Sequence, residues 1–439
     1  MSTTHSTRRG SIKPLIAGSF GNFVEWYDWG IFAVLATVFS TQIFHGESDF
    51  ASLLQTFTTF AVGFAARPIG AVLLSPLGDR VGRKRLLSIA ILMMSAGSLV
   101  LAITPTYEAI GVFSPIIFVL ARIAQGISAG AEFQSGSSFV VEHAPANRRG
   151  LFGSITLFTC VLGTLGATAT GVIVTQVFDP ETLAAWGWRV PFLLGAVFGL
   201  VGLYLRTSAE ETPTFQAVSE RNEIVRSPIK EVFKSHKLTM LRIFAISSYT
   251  GAYYLWTVFL PTYAHLAAGL PLEQTLLGGT ISLVIMAIAI PIFGGLSDKI
   301  GRKPLLLTHF FGIAILAYPL LWLLETPSFG LFLVVDIVGC LFVALTSATQ
   351  ATVYSEISHA DIRNTVIGLP YSISAALIGG TMPLVATALL AAGNGINVAF
   401  IVIGLALFGG IVVIFMPEPK GRSLDITSSN PVVEPQLAQ

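Results

Sequence analysis

Twelve stretches of about 20 or more mostly apolar residues follow one another along this 439-residue chain. A helix of about 20 residues spans the hydrocarbon core of a bilayer, and lipid forces such a segment to satisfy its backbone hydrogen bonds internally. The sequence therefore predicts an all-α membrane protein with twelve transmembrane helices. The stretches lie at about 12–43, 51–77, 84–104, 113–141, 150–178, 187–206, 240–265, 273–296, 304–324, 328–354, 364–392 and 396–417.

Charged residues are scarce, at 11% of the chain, against about 25% in ordinary soluble domains. The net charge of +1 argues against a nucleic-acid partner, which requires clustered basic residues. The two cysteines, Cys160 and Cys340, both lie in apolar runs, and nothing in their spacing indicates a disulfide or a metal site. We therefore expect no metal, no cofactor and no nucleic acid.

Most Lys and Arg residues fall in alternate loops and near both ends of the chain. Under the positive-inside rule those loops face the cytoplasm. The predicted outer loops keep only Arg189, while Arg67 and Arg122 fall inside apolar stretches. The pattern predicts a multi-pass protein of the cell (inner or plasma) membrane with both termini in the cytoplasm.

Two loops resemble each other, since "GDRVGRK" at Gly78–Lys84 recurs as "SDKIGRK" at Ser297–Lys303. The longest polar stretch lies midway, which predicts four parts: an N-terminal six-helix bundle (1–206), a cytoplasmic linker (207–239), a C-terminal six-helix bundle (240–417) and a cytoplasmic tail (418–439). Two pseudo-symmetric halves are typical of transporters that work by alternating access.

With its loop "SPLGDRVGRKRLL", the chain resembles the major facilitator superfamily. Four further elements resemble that superfamily's metabolite:proton symporter family. They are "EWYD" at 25–28, "RPIG" at 67–70, "RIAQGISAGAE" at 122–132 and "WGWRVPF" at 186–192. The resemblance covers nearly the whole chain and implies the major facilitator fold and proton-coupled symport.

Glu25 and Asp28 lie three residues apart, so they share one helix face. Lys13 is expected near the membrane surface, which places Glu25 roughly 18 Å deeper. An uncompensated charge there costs at least about 2.5–3.5 kcal/mol. We therefore expect Glu25, Asp28 and Glu132 to line a central path as proton-coupling residues; the alternative is fixed ion pairs that only hold helices together.

Candidate substrate-binding residues share estimated mid-membrane depth or a place on helices that line the path in the resembling family. Two guanidinium groups offer bidentate geometry for carboxylates. Asp336 falls at the position that the repeat assigns to Arg122, where it is either a partner for the site or a polar residue near the outer interface. In the empty carrier we expect Arg122 to pair with the Asp28 carboxylate. The candidates are Arg67, Arg122, Gln125, Tyr27, Tyr253, Tyr254 and Asp336.

The repeated loops are expected to act as gates. Glycine permits a tight turn, and an Asp can accept hydrogen bonds from a helix N-terminus or from an Arg. Such contacts would stabilise the state closed to the cytoplasm, more strongly in the first half, because Ser297 replaces the glycine in the second. The gating residues are Gly78, Asp79, Arg80, Gly82, Arg83, Asp298, Gly301 and Arg302.

No G-x-x-x-x-G-K-[ST] motif supports an ATP-driven pump, and no nucleophile–base pair or metal cluster supports an enzyme. A channel fits two repeated halves less well than alternating access does. We expect a monomeric proton symporter of a small organic anion, with citrate-like tri- or dicarboxylates first. A zwitterionic osmolyte such as proline or betaine, or an aromatic acid such as shikimate, is the alternative.

Overall fold

A computed structural model describes residues 12–81, 83–130, 137, 140–141, 144–207, 233–358 and 363–424. Within these ranges, the side chains of 12–19, 75–81, 83–87, 206–207 and 364 are outside the description. Every regular element in the described ranges is helical. This agrees with the predicted all-α class.

The helices form twelve passes, which we number α1 to α12. In the first half they are α1 (Ile12–Val34, resuming as Ala36–Ile43), α2 (Asp49–Val81), α3 (Arg83–Ile103), α4 (Phe113–Ala129), α5 (Arg149–Val177) and α6 (Arg189–Thr207). In the second half they are α7 (Lys237–Ser247, Thr250–Tyr254, Leu255–Phe259 and Leu260–Ala268), α8 (Leu272–Ile300), α9 (Lys303–Leu323), α10 (Phe329–Ile357), α11 (Arg363–Ser374, Ala375–Gly379 and Met382–Ala391) and α12 (Val398–Ile414).

Eight of the described helices are long and apolar enough to cross a membrane unaided. A ninth span consists of Pro180–Gly187 and Arg189–Leu205, which meet at a bend of 46°. Large apolar side chains point outward from many helices, among them Ile103, Ile315 and Phe415. An outer surface of this kind suits lipid and confirms a multi-pass membrane protein.

Two helices of the first half approach at backbone contact, because glycines replace side chains at the crossing. A Cβ atom on Gly126 of α4 would collide with the main-chain oxygen of Gly63 on α2. Small residues allow this close packing of membrane helices. The crossing brings Arg67 of α2 and Arg122 of α4 to the same aromatic ring, that of Trp29 on α1.

The two halves meet along α5, which packs against α8 and α10, and along α2, which packs against α11. Aromatic rings also join them in the middle, where Trp26 of α1 packs against Tyr253 and Tyr254 of α7. Helix α7 changes to π-helical geometry just after these tyrosines, at Leu255–Phe259. Such π segments occur frequently at functional sites.

Candidate substrate and proton site

A buried ion pair lies in the first half, between α1 and α2. Arg67 Nη2 donates to Glu25 Oε1 at 2.8 Å, and both side chains are at most 4% exposed. The sequence predicted both residues at mid-depth but did not join them to each other. Each residue compensates the charge of the other, which would be costly to bury unpaired inside a membrane.

Aromatic rings surround this pair. The Arg67 guanidinium carbon lies 4.2 Å from the ring centre of Phe64 and 4.9 Å from that of Trp29. On the other side, the Tyr254 ring packs against Phe64, at 5.1 Å between centroids, and stacks on Trp26 at 5.8 Å. The faces of aromatic rings attract cations, so this frame suits a cationic ligand group as well as Arg67 itself.

The two tyrosines predicted from α7 are both at this frame. The Tyr253 ring lies 5.2 Å from Trp26 and 5.5 Å from Tyr254, measured between centroids. Neither tyrosine hydroxyl has a hydrogen-bond partner among the described residues. Buried hydroxyls are normally hydrogen-bonded, so these two are available to a bound molecule.

The expected ion pair between Arg122 and the Asp28 carboxylate is wrong. Arg122 Nη2 donates instead to the main-chain oxygen of Asp28, at 3.3 Å, and its guanidinium lies 4.0 Å from the ring centre of Phe32. The Asp28 carboxylate faces Gly195 of α6, because the turn of α1 directs its side chain toward that helix. Neither carboxylate oxygen has a hydrogen-bond partner among the described residues.

Two other predicted substrate residues contact neighbouring helices. Tyr27 donates to the main-chain oxygen of Pro191 on α6 at 3.0 Å. Gln125 donates to the main-chain oxygen of Met94 at 3.1 Å and to Ser98 Oγ at 3.0 Å, both on α3. Their side-chain bonds thus join helices within the first bundle, and a role in binding stays a prediction for both.

The structure places Asp336 on α10, in the second bundle. The residue is 1% exposed. One carboxylate oxygen, Oδ1, accepts a hydrogen bond from the Cys340 thiol, at 3.7 Å. Its other oxygen, Oδ2, has no partner among the described residues. Asp336 forms no ion pair among the described residues, and its role in substrate binding stays a prediction.

The second-half loop forms the kind of contact that its sequence predicts. Asp298 accepts from the backbone N–H groups of Gly150, at 2.7 Å, and Leu151, at 2.9 Å, at the N-terminus of α5. Arg302 supports this carboxylate at 2.9 Å and also pairs with Glu356 at 3.2 Å. Gly301 has a φ of 100°, a conformation that favours glycine. A carboxylate of one half thus holds a helix end of the other.

The segment that follows α12 crosses the same face of the molecule. Arg149 of α5 donates to the main-chain oxygen of Arg422 at 2.7 Å. Arg363 of α11 donates to that of Leu424 at 2.5 Å. The Leu424 side chain is buried beside Val141 and Ala351, which belong to different halves. Residues 418–424, which we call the tail strap, therefore touch both bundles.

Several predicted residues are not settled by the structure. Glu132 and Gly82 lie outside the described residues. The side chains of Asp79, Arg80 and Arg83 are likewise outside the description, although Gly78, Asp79, Arg80 and Arg83 belong to helices. Their roles stay predictions.

Sequence reasoning missed residues that the structure brings to these sites. Trp26 follows Glu25 directly, in a run of aromatic residues, and that position already hinted at the aromatic frame. Glu356 lies at the end of α10, and no motif predicted its pairing with Arg302.

Two described transporters are similar in sequence to this chain over most of its length. The ectoine/proline transporter ProP of Corynebacterium glutamicum (strain ATCC 13032) is 31% identical over 444 residues, which cover 96% of this chain and 87% of that protein. The glycine betaine/proline/ectoine/pipecolic acid transporter OusA of Dickeya dadantii (strain 3937) is 29% identical, covering 94% and 84% respectively.

Solved structures agree on the fold. The proton:xylose symporter XylE, bound to 6-bromo-6-deoxy-D-glucose, superposes with a TM-score of 0.73 over 94% of this chain and 97% of that one, at 19% sequence identity. The profile of the Major Facilitator Superfamily matches residues 18–383 and, in a second match, 276–435. The chain belongs to the major facilitator superfamily, whose members include these relatives, and it is a membrane transporter and not an enzyme.

Proposed function

We propose that the protein is a proton-coupled symporter of a small zwitterionic osmolyte of the proline and betaine kind. It works by alternating access in the cell membrane as a monomer, with both termini in the cytoplasm. The bundles 1–206 and 240–417 rock about the central site, joined by the linker 207–239.

The observation that carries this proposal is the Arg67–Glu25 pair inside an aromatic frame. A zwitterion presents one carboxylate and one ammonium group, which match Arg67 and the Glu25–Trp26–Tyr254 side of the frame. Guanidinium groups bind carboxylates in bidentate fashion, and aromatic faces attract quaternary ammonium groups. A bound zwitterion therefore replaces the Arg67–Glu25 ion pair with two ion pairs of its own, one to Arg67 and one to Glu25.

Charge balance favours a zwitterion over citrate. The described centre of the first bundle holds two acids, Glu25 and Asp28, and two guanidinium groups, Arg67 and Arg122. The Arg67–Glu25 pair is neutral, and with a proton on Asp28 only the Arg122 charge remains, so a tricarboxylate would still bring about two uncompensated negative charges into the centre. The order of the sequence-based prediction, with citrate-like acids first, is therefore not supported. The substrates named for the relatives favour the zwitterion too.

Proton coupling is assigned first to Asp28. Its carboxylate is fully buried and has no hydrogen-bond partner among the described residues. A group in that position binds a proton readily and exchanges it when water enters. It lies one helical turn from Glu25, so a change at the ion pair is transmitted along α1 to the proton site.

The test uses purified protein in liposomes with an imposed proton gradient and an inside-negative potential. We expect radiolabelled glycine betaine and proline to accumulate, and a protonophore to abolish the accumulation. Citrate and shikimate should neither accumulate nor compete. Uptake of citrate in place of the zwitterions would refute the substrate assignment, and accumulation driven by a sodium gradient alone would refute proton coupling.

A further inference from the structure

Among the described residues, acids with buried or half-buried side chains divide into two groups. Glu25, Asp298 and Glu356 each contact a guanidinium group. Asp28 and Asp336 form no ion pair among the described residues, although each is at most 1% exposed. One of these two acids lies in each bundle. An ionised carboxylate buried without a cation is costly, and such a group takes up a proton instead.

The surroundings of Asp336 are apolar or neutral on every side that the structure describes. Behind it on α10, Trp256 of α7 donates to the main-chain oxygen of Val335 at 3.3 Å. Toward α8, the Ser282 hydroxyl donates to the main-chain oxygen of Gly278 at 3.1 Å. Cys340 is the titratable neighbour on α10 itself.

Charged groups on the helices packed around Asp336 form no ion pair with it. On α9, His309 Nδ1 is held 2.8 Å from the main-chain oxygen of Phe342. The others lie within the first two turns or the last turn of their helices. They are Arg149 on α5, Lys237, Arg242 and His265 on α7, Glu273, Asp298 and Lys299 on α8, Lys303 on α9, Glu356 on α10 and Arg363 on α11.

Asp336 also lies beside the junction of the two halves. A Cβ atom built on Gly279 of α8 would be 3.8 Å from Asp336 Oδ2 and 3.8 Å from the Thr168 methyl group on α5. Helix α5 of the first bundle packs here against α8 and α10 of the second. In alternating access the bundles separate first on one side and then on the other, so separation there brings water to Asp336.

We propose that Asp336 is a second proton-binding residue, which binds its proton while the α5–α8 junction is closed and exchanges it when that junction opens. The transporter then moves two protons per cycle, one on Asp28 and one on Asp336. The contribution of Asp336 to coupling rests on the proposed symport, whereas its protonation can be tested without any substrate.

The first test is infrared difference spectroscopy of the protein in liposomes, between acid and alkaline buffer and with no substrate. A carboxyl group that titrates gives a carbonyl band of its neutral form, which disappears at high pH. We expect this band in Asp28→Asn, since Asp336 still titrates, and we expect Asp336→Asn to remove a separate component. Ser282→Ala removes a hydroxyl neighbour of Asp336 and no carboxyl group, so it should keep both components, with only that of Asp336 shifted in position.

The proposal is overturned if Asp336→Asn has the same titrating carbonyl bands as the wild type. If Asp336→Asn fails to fold, Asp28→Asn is compared instead with the double variant Asp28→Asn/Asp336→Glu. A titrating carbonyl band whose position differs between these two proteins supports the proposal. A band unchanged by that second substitution, or the absence of any band, refutes it.

The second test is the limiting accumulation of glycine betaine, a neutral molecule. Each coupled proton multiplies the limiting ratio by about tenfold at a protonmotive force of about 59 mV. We expect about 100-fold for the wild type and for Ser282→Ala, and about 10-fold for Asp336→Asn. A wild-type limit of about 10-fold would overturn the second proton. If no zwitterion moves at all, the proposed substrate is wrong, and the infrared result still decides whether Asp336 titrates.

Discussion

The two bundles share a fold but differ in how they handle polarity at their centres. The first bundle concentrates ionised groups, with Arg67 on Glu25 and Arg122 on the Asp28 main chain. The second uses neutral groups: Tyr249 donates to Gln350 Oε1 at 2.5 Å, and the hydroxyls of Ser247 and Tyr354 lie 2.5 Å apart.

This difference shows that the internal repeat preserved helix positions but not side-chain chemistry. At the position of Arg122 in the first half, the second half carries an acid, Asp336. The charged bundle can exchange ion pairs with a zwitterion and a proton. The neutral bundle offers aromatic rings and hydroxyls, which can contact a ligand of any charge by packing and hydrogen bonds. Under the proposed function, the two halves therefore contribute different chemistry to the site, although their architecture is shared.

The largest expected effect comes from Arg67→Gln, which removes the cation of the charged bundle. Loss of one member of a buried pair costs about 3–5 kcal/mol, so we expect lower thermal stability and an uptake of glycine betaine reduced more than about 100-fold. Both are measured on purified protein, by thermal unfolding and by liposome uptake.

The double variant Glu25→Gln/Arg67→Gln is the control for this experiment. It removes both charges and should recover stability but not uptake. Uptake within a few-fold of the wild type in Arg67→Gln would show that substrate does not depend on this guanidinium, and the contrast between charged and neutral bundles would lose its functional meaning.

Asp28→Asn should separate coupling from translocation. The amide cannot carry a proton, so the limiting accumulation at about 59 mV is expected to fall from about 100-fold to the about 10-fold that a proton on Asp336 alone supports, while exchange of labelled for unlabelled glycine betaine across the membrane continues. Both rates are measured in the same liposomes. Accumulation at wild-type levels in Asp28→Asn would remove this residue from the proton path, and Glu25→Gln would then be the next variant to examine.

Substitutions in the aromatic frame should act on affinity alone. A cation–π contact contributes about 0.5–2 kcal/mol, so Tyr254→Leu is expected to weaken glycine betaine binding by about 2- to 30-fold. Tyr254→Phe keeps the ring and serves as the matched control, with binding close to wild type if the ring face is what matters. Isothermal titration of the detergent-purified protein measures both. A loss in Tyr254→Phe as large as in Tyr254→Leu would assign the interaction to the hydroxyl instead.

The gating loops should give the smallest effects. A negative charge at a helix N-terminus is worth about 0.3–2 kcal/mol, and the amide also loses one of the two acceptor oxygens, so Asp298→Asn is expected to slow transport by several-fold by weakening the closed contact at α5. Asp79→Asn is expected to slow it more, because the first-half loop keeps the full motif. Initial uptake rates at matched expression compare the two, and equal or reversed effects would show that the loops are not weighted this way.

The sequence was sufficient for the helices, whereas the membrane depth of the charged residues stays a prediction. Runs of apolar residues specify membrane helices through hydrophobicity alone, and a rise of 1.5 Å per residue converts spacing into depth. Asp298 is an example of success at the level of a contact: its motif predicted acceptance from a helix end or from an arginine, and the structure shows both.

Pairing between helices could not be predicted in the same way. The rotation of a helix about its axis is set by its packing, so spacing alone did not show that Glu25 contacts Arg67, or that Asp28 turns its carboxylate from Arg122 toward Gly195. The predicted preference for citrate-like acids was not supported, for a related reason. Two arginines suggested an anion, whereas the net charge of the site depends on which acids lie beside them.

The tail strap has a consequence for how the protein tolerates change. Arg149 and Arg363 hold main-chain oxygens of the strap, not its side chains. These two hydrogen bonds therefore depend on the length and backbone path of residues 418–424. They depend little on which amino acid occupies position 422. A deletion of one residue here would shift the register of both bonds and draw Leu424 out of its apolar cluster. A side-chain replacement at Arg422 would leave the same bonds intact.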